Sequence, residues 1–367
     1  MAKYEIEIWD KSGKPIADIR PICTNVQWSK TLNGSESLGF TLDLKRFENI
    51  LEAVGYKNDP FGFMDVGRCD IRLKRNGKYI LGTNIYRFEY TSSFNSVTMR
   101  VECVGYLNFY KTQYINGQYH NMKQEEIMWD AIDKCNHKTG GDFGIRKGTH
   151  TGDTTRRDRK YERKEVANLI QQMSEVIGGC DFEFTPDKKF NTYEAKGSYL
   201  PSIRLEYPGN IQSFNFSRTL DKVANYIYGV GSGNGDSAVQ SWAEDTDSEN
   251  YLYRREMVAI WNSISEQETL DEHTDAAVKA AKDIIELPNI TLRDNVLDLS
   301  EIDVGDTVIV KLGGALSLAH INGDYRIQTI SCNVDENDSE EATLGFDNYN
   351  IDDIINKQET TEDSIDG

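Results

Sequence analysis

The sequence predicts an α+β protein that is mainly β, its strands gathered into small domains, and three observations carry that prediction. Short stretches alternate apolar and polar residues, as in Tyr4–Trp9 and in Val97, Met99, Val101 and Cys103, the pattern of a strand with one wet face. Asn33-Gly34 and Asn76-Gly77 punctuate these stretches, and Asn-Gly accepts the positive φ angles of a tight hairpin. Aromatic residues make up 10% of the chain, with 19 tyrosines, which fit a pleated, half-buried surface better than a helix. At 367 residues the chain exceeds what one hydrophobic core usually serves, so two to four domains are expected.

Residues 1–115 read as a first β domain. Its strands are Tyr4–Trp9, Val26–Lys30, Leu38–Leu44, Cys69–Lys74, Tyr79–Thr91 and Ser96–Val104, with one short helix carrying Phe47, Ile50, Leu51 and Val54 and stopped by Gly55. The pattern changes near residue 116, and 116–200 reads as an α+β domain. Ile127, Met128, Ala131, Ile132 and Cys135 form a helical stripe, with Asn121 and Gln124 as a capping pair and Gly140-Gly141 as the stop. A loop is expected over Gly141–Arg159. A second helix follows over Lys164–Ile177, its face made by Val166, Leu169, Ile170, Met173 and Ile177 and its end by Gly178-Gly179. Strands Asp181–Phe184 and Asn191–Ala195 then flank a turn at Pro186.

From residue 201 strand patterns return in Ile203–Tyr207, Ile211–Ser217 and Val223–Val230. Gly229–Gly235 is a flexible stretch leading into an inserted helix-bearing domain, 236–289. There Thr269 and Glu272 suggest a capping box ahead of Ala277, Ala280, Ala281 and Ile284, and Pro288 ends the helix. Strands Val308–Lys311, Tyr325–Ser331 and Ala342–Phe346 complete a second β domain from 201–235 and 290–348. An acidic tail, 349–367, is expected to be disordered over its last ten residues.

Two segments repeat one another in outline. Asp65-Val66-Gly67 and Asp303-Val304-Gly305 each lead into a strand, a Gly turn, a long strand, a loop and a last strand ending at Gly105 or Gly345. The matched order and lengths predict a duplicated β domain. Three copies of a chain with two such domains would present six similar units in a ring, able to dock on a six-fold partner.

Net charge is −19, which excludes clamping of nucleic acid, since affinity for phosphate comes from Lys and Arg. The same acidity suits a soluble surface or a conduit past which DNA slides without sticking. Six cysteines (23, 69, 103, 135, 180 and 332) show no CxxC or paired spacing and read as reduced thiols of a cytoplasmic protein. No apolar run reaches the ~18–20 residues needed to span a bilayer, and the first residues lack a signal peptide's apolar core.

No catalytic, cofactor-binding or metal-binding residue is predicted: HExxH, Walker A and GxSxG motifs are absent. The run Gly229, Gly231, Gly233, Gly235 lacks phosphate-loop spacing and reads as a hinge. Histidines 120, 137, 150, 273 and 320 lie far apart, and nothing local activates Cys180 toward His273 or His320 as a peptidase pair. The acidic clusters Asp245–Glu249 and Asp335–Glu341 lack the EF-hand spacing and read as solvated turns. With 60 acidic residues, carboxylate pairs of glycosidase type carry no information. The basic run Arg156-Arg157-Asp158-Arg159-Lys160 is placed in a loop, as a subunit contact or solvated. Trp9, Trp28, Trp129, Trp242 and Trp261 fall in separate elements and are mostly expected in cores.

The stretch Phe216-Ser217-Arg218-Thr219-Leu220-Asp221-Lys222-Val223-Ala224-Asn225-Tyr226-Ile227-Tyr228-Gly229-Val230-Gly231 is similar to the strand that begins the second tube-like domain of phage hub proteins. With the hairpin Gln27–Leu44 and the strand Ile302–Leu312, the layout resembles the baseplate hub of contractile phage tails. It equally resembles the N-terminal hub part of tail-associated, tail-tip proteins of long-tailed phages. The resemblance covers nearly the whole chain through soft patterns. It implies two tube-like small β-barrel domains, an intervening α+β domain and a helix-bearing insertion. It further implies a homotrimer at the virion tail tip, assembled in the host cytoplasm, not an enzyme and without cofactor. That trimer would sit below the distal tail or tail tube ring protein, with the tape measure protein ending inside it and other tip or receptor-binding proteins beside it. DNA would be present only in transit, and no stable membrane insertion is implied. Many relatives add a C-terminal peptidase or glycosidase; with the sequence stopping at Gly367, any lytic role is expected of another protein. The alternatives are a cell-wall-degrading tail enzyme and a carbohydrate-binding tip module.

Overall fold

The computed structural model describes residues 2–55, 64–94, 96–175, 179–220, 223–233, 237–261, 264–293, 296–313 and 321–346, without the side chains of 216–219 and 285–288. Ile177, Gly178, His320 and the expected disordered tail lie outside the described residues.

The chain opens with β1 (Tyr4–Trp9) and β2 (Pro15–Asp18), then β3 (Cys23–Thr31) and β4 (Ser37–Asp43), whose connection includes Asn33 at φ +54°. Asp43 caps α1 (Leu44–Ala53), its carboxylate accepting the amides of Lys45 and Arg46. A meander follows: β5 (Asp70–Arg75), β6 (Lys78–Ser92) and β7 (Val97–Gly105). Asn76 and Gly77, both at positive φ, make its first turn. The middle of the chain forms β8 (Tyr114–Lys123), α2 (Gln124–Asn136), β9 (Arg146–Thr151), β10 (Arg156–Glu165), α3 (Val166–Glu175), β11 (Asp181–Phe184) and β12 (Lys189–Tyr193). Next come β13 (Tyr199–Tyr207), β14 (Ile211–Thr219), β15 (Tyr226–Val230), β16 (Gln240–Glu244), α4 (Thr246–Leu252), β17 (Glu256–Ile260) and α5 (Gln267–Ala281). The last strands are β18 (Ile285–Leu292), β19 (Thr307–Leu312), β20 (Asn322–Val334) and β21 (Glu340–Phe346). The fold is α+β and mainly β.

One 13-stranded sheet shows the same arrangement twice. The ladder β5-β6-β7-β4-β3 is antiparallel throughout, and so is β19-β20-β21-β18-β14. Local details repeat as well. Asp65 and Asp303 each accept the amide of the following valine, at 2.8 and 2.9 Å. Gly67, at φ +69°, donates its amide to Ile85 O at 2.9 Å; Gly305, at φ +95°, donates to Ile327 O at 2.8 Å. A bulge interrupts the long strand at the matching place, between Ile85 and Arg87 and between Ile327 and Thr329. These registers align Ile85 with Ile327, Gly39 with Asn289 and Gln27 with Asn215. The copies differ at one flank, where β1 runs antiparallel to β5 but β13 runs parallel to β19. They differ again at the hairpin tip: residues 32–36 join β3 to β4, whereas 220–284 stand between β14 and β18.

Among the described residues, the buried apolar ones fall into three clusters. The largest draws on both β copies, from Ile6, Phe40 and Leu42 to Ile290, Ile330 and Leu344. The middle of the chain packs around Tyr106, Ile127, Met128, Ile170 and Phe184. The third holds α5 to a three-stranded sheet through Ile227, Ala259, Trp261, Leu270 and Val278.

Several sequence expectations are corrected. Asn121 does not open a helix: it sits in β8 at φ +47°, and α2 starts at Gln124 without a side-chain cap. The expected loop Gly141–Arg159 holds β9 and the start of β10. Only Arg159 and Tyr161 are buried along β10, so this strand shows almost no apolar alternation to read. Thr269 lies inside α5, which lacks the expected capping box. Pro288 does not end that helix, because it lies within β18, opposite Phe216. Since β18 meets β21 only over Asn289–Thr291, Pro288 has a strand neighbour on one side, where a missing amide is tolerated. β15, grouped from sequence with the second β domain, pairs instead with β16 and β17 in the small sheet.

Candidate assembly interface

The two β copies are joined by strand addition. β3 lies antiparallel to β20, with Val26 opposite Val334 and Thr31 opposite Thr329, and the Leu32 amide donates to Gln328 O at 2.9 Å. One face of β20 (Ile330, Cys332, Val334) is thereby buried in the common core. Main-chain hydrogen bonds set the strength of such a joint and the alternating side chains set its register.

Ion pairs surround the joint. Lys30 Nζ lies 2.9 Å from Asp303, whose other oxygen is 3.1 Å from Lys196 Nζ. Lys196 also pairs with Glu183 and so ties the α+β unit to both copies. Burial works against charge on Asp303 and Glu183, but the lysines prevail and hold both carboxyls below their ordinary range. Burial likewise opposes charge on Lys196, and its two carboxylates hold the ammonium above its usual value. Arg75 grips Glu340 at 2.6 and 2.8 Å and also pairs with Asp298; Arg20 reaches Asp338 at 2.9 and 2.6 Å. Arg20 and Arg75 are buried, and pairs made by a buried charge fix register more than they add stability. Beside them, burial pushes the Glu36 carboxyl up to about 7, and its Oε2 is buried without a hydrogen-bond partner.

Among the described residues, two strand edges lack the neighbour their counterparts have. β14 ends the sheet, with β18 on one side and, among the described residues, no strand on the other. β6 carries β5 only as far as Asn84, while its pairing with β7 continues to Ser92. Along and just beyond this open edge Tyr86 is 62% exposed, Tyr90 43% and Phe94 fully. The matched leucines differ in the same sense: Leu32 is 7% exposed and Leu220 41%.

The chemical candidates of the sequence find structural explanations. All six cysteines are free and buried, and burial raises the Cys180 thiol to about 12, beside Met128. His120 contacts Gln118 and Asp158, His137 the Asp133 carbonyl, His150 Thr192, and His273 packs on Trp261; none is near Cys180's sulfur in these contacts. Asp245 caps α4 through the Ser248 amide and pairs with Lys282, whereas Asp335 accepts the amides of Asn337 and Ser339 in a turn. Among the described residues no three His, Cys, Asp or Glu side chains group as a metal site. Of the glycine run, Gly229 lies in β15 and Gly231 donates its amide to Val239 O, while Val239 donates to Ser232 O; Gly235 lies outside the described residues. Arg156–Lys160 belong to β10, not a loop; burial first, then Arg159, lowers the Arg157 guanidinium to about 10. Of the tryptophans, Trp242 alone among the five is largely exposed, stacked parallel on Tyr226 at 5.8 Å.

No family model matches this sequence, and no curated protein matches it. Solved structures do share its fold. The tail protein from Neisseria meningitidis MC58 is 12% identical with a TM-score of 0.66, over 96% of this chain and 99% of that one. The 43 kDa tail protein of prophage MuSo2 from Shewanella oneidensis is 11% identical at 0.66, over 95% and 99%. An E. coli type VI secretion component, structurally similar to T4 bacteriophage tail proteins, is 12% identical at 0.51, over 89% and 73%. The chain therefore has the fold of phage tail proteins, along its whole described length.

Proposed function

We propose that this protein is a structural hub at a phage tail tip, without catalytic activity. Three chains form a ring that joins the six-fold tail or distal ring to the tip and makes part of the DNA-passage channel. The observation that carries this reading is the duplicated β unit: three chains supply six similar units, matching a six-fold neighbour. The division that goes with it is two β units (4–105, and 199–219 with 285–346), an α+β unit (106–195) and an insertion (220–284). Its partners are further copies of itself, the ring protein above, the tape measure protein and other tip or receptor-binding proteins, with DNA only in transit. Its place is the virion tail tip after assembly in the host cytoplasm. No helix among the described residues is long and apolar enough to cross a membrane.

Light scattering after size exclusion, at two concentrations, tests this. A mass three times the 41.7 kDa chain, with three-lobed rings in negative stain, is expected. A monomer that does not form rings even with its ring partner would sink the proposal. One feature favours a second reading as a carbohydrate-binding tip module: the exposed face of the small sheet presents Tyr228, Trp242 and Val258 side by side. Aromatic platforms of this kind stack on sugar rings, and a glycan array on the Trp242→Ala variant separates the two.

A further inference from the structure

We propose that the cleft between the first β copy and the α+β unit binds a carboxylate carried on an extended peptide. The inference goes beyond the hub reading and does not depend on it. The cleft has a volume of 890 Å³. The β1–β2 turn and the first Asp-Val-Gly turn line one side of it, and the α2–β9 connection and the β11–β12 turn line the other.

Arg72 of β5 lines this cleft and is only 8% exposed. Its Cζ lies 3.8 Å from the centroid of the Trp9 ring and 5.9 Å from that of Tyr79. Its Nε is buried without a hydrogen-bond partner, and the nearby Tyr106 hydroxyl is buried without one too. Among the described residues no carboxylate pairs with this guanidinium. Ring faces meet a guanidinium from above its plane and leave the N–H fork at its rim for a planar oxyanion. A buried charge held in this way is costly until an anion joins it.

The carboxylates of the cleft are already engaged. Asp70 pairs with Lys188 at 2.6 Å, Asp142 with Arg146 at 2.8 and 2.9 Å, and Asp187 with Lys189 at 2.9 Å. Asp10 accepts the Ser12 hydroxyl and the Lys14 amide. Arg68 and Lys11, both exposed, have no carboxylate partner among the described residues. The lining thus holds five cations against four carboxylates, in a chain of net charge −19. One more carboxylate balances it, whereas a phosphate dianion brings a second charge toward four standing carboxylates.

The second β copy shows what lies over such a turn. There segment 196–198 crosses Gly305: the Ser198 amide donates to Asp306 at 2.7 Å and the Thr307 amide to Ser198 O at 2.9 Å. Over Gly67 the space is open, for an added Cβ meets nothing within 4 Å. The residue after the glycine is Asp306 in the second copy and Arg68 in the first. One turn therefore accepts from the backbone that crosses it, and the other offers a cation. A peptide laid over Gly67 in the same manner brings an acidic side chain between Arg68 and Arg72.

The test titrates the full chain with the blocked tripeptide acetyl-Ala-Glu-Ala-amide, read by the emission of Trp9, against which Arg72 is stacked. A Kd of about 1 mM or tighter is expected. The Gln tripeptide and inorganic phosphate should each bind at least tenfold more weakly. Arg72→Met, which keeps an apolar stem on Trp9, and Arg68→Ala, at an exposed position, should each weaken the Glu tripeptide tenfold or more. If Arg72→Met does not fold, Arg68→Ala decides alone. An emission change that survives Trp9→Phe comes from another site and overturns the proposal. So does a folded protein that does not respond to the Glu tripeptide, or that binds the Gln tripeptide equally well. Phosphate binding as tight as that of the Glu tripeptide would mark a site for free anions and overturn the peptide.

Discussion

The β3–β4 hairpin and its counterpart β14–β18 hold the same place in two copies of one sheet, yet one turns within residues 32–36 and the other carries 220–284. A hairpin tip is where backbone leaves the ladder, so added residues cost little there. The insertion answers to this by having its own core: Trp261, Leu270 and Val278 pack with Ile227 and Ala259 and not with the large sheet. The copies thus teach that the ladder is the fixed part of this fold and the tip the variable part. Fixity has a further cause in the joint, since β20 belongs to the ladders of both copies at once.

That comparison is broken most severely through the shared core. Phe40→Ala, at a site 1% exposed and aligned with Ile290, should cost about 3–5 kcal/mol in urea unfolding. Both β copies should unfold in that one transition; a second transition from an intact C-terminal copy would mean that the shared sheet does not couple them. The duplicated glycines give the next effect. A Cβ on Gly67 meets open space, so Gly67→Ala should cost about 1 kcal/mol for its positive φ. A Cβ on Gly305 would meet the Lys196 carbonyl oxygen at 2.5 Å, so Gly305→Ala should cost about 2–3 kcal/mol. Equal losses would contradict the close approach of the Lys196 backbone to Gly305, which has no counterpart at Gly67.

Glu36→Gln probes the joint's electrostatics. A carboxyl raised in the fold binds its proton more tightly than in the unfolded chain, so its contribution is present below the ordinary carboxylate range and lost as pH rises through about 7. The glutamine variant should therefore gain about 1–2 kcal/mol on wild type at pH 8 and nothing at pH 4. Asp303 and Glu183 act oppositely. Their lowered carboxyls contribute stability above the ordinary range and lose it as pH falls below it, so Asp303→Asn should flatten the acid limb of the stability profile. The smallest effect is expected at the tip: replacing 220–284 by Asn-Gly should lower Tm by less than about 5 °C, monitored by calorimetry.

Much of the ladder was legible because each strand announces itself locally. Tyr4–Trp9 and Asp181–Phe184 coincide with their expected bounds, and Asn76-Gly77 turns as its residues require. The Asp-Val-Gly repeat was legible for the same reason, being a local turn with a positive-φ glycine. β8 and β10 were not, because of the residues they bury only Ile115 is aliphatic, the others being Tyr119, Tyr161 and Arg159, set among polar and charged neighbours. The partner of β15 was unreadable too, since pairing is decided by strands distant in sequence. So was the joint, whose ion pairs connect Lys30 to Asp303 and Arg20 to Asp338.

Synthesis order gives the joint one more consequence. Val26 leaves the ribosome some three hundred residues before its partner Val334, an interval of about 15–60 s at 5–20 residues per second. Throughout that interval β3 has no β20 to pair with. A flat apolar strand left waiting would capture other nascent chains. β3 instead shows Gln27, Ser29 and Lys30 among its residues and a bulge between Thr24 and Gln27, devices that keep a waiting edge from pairing with strangers.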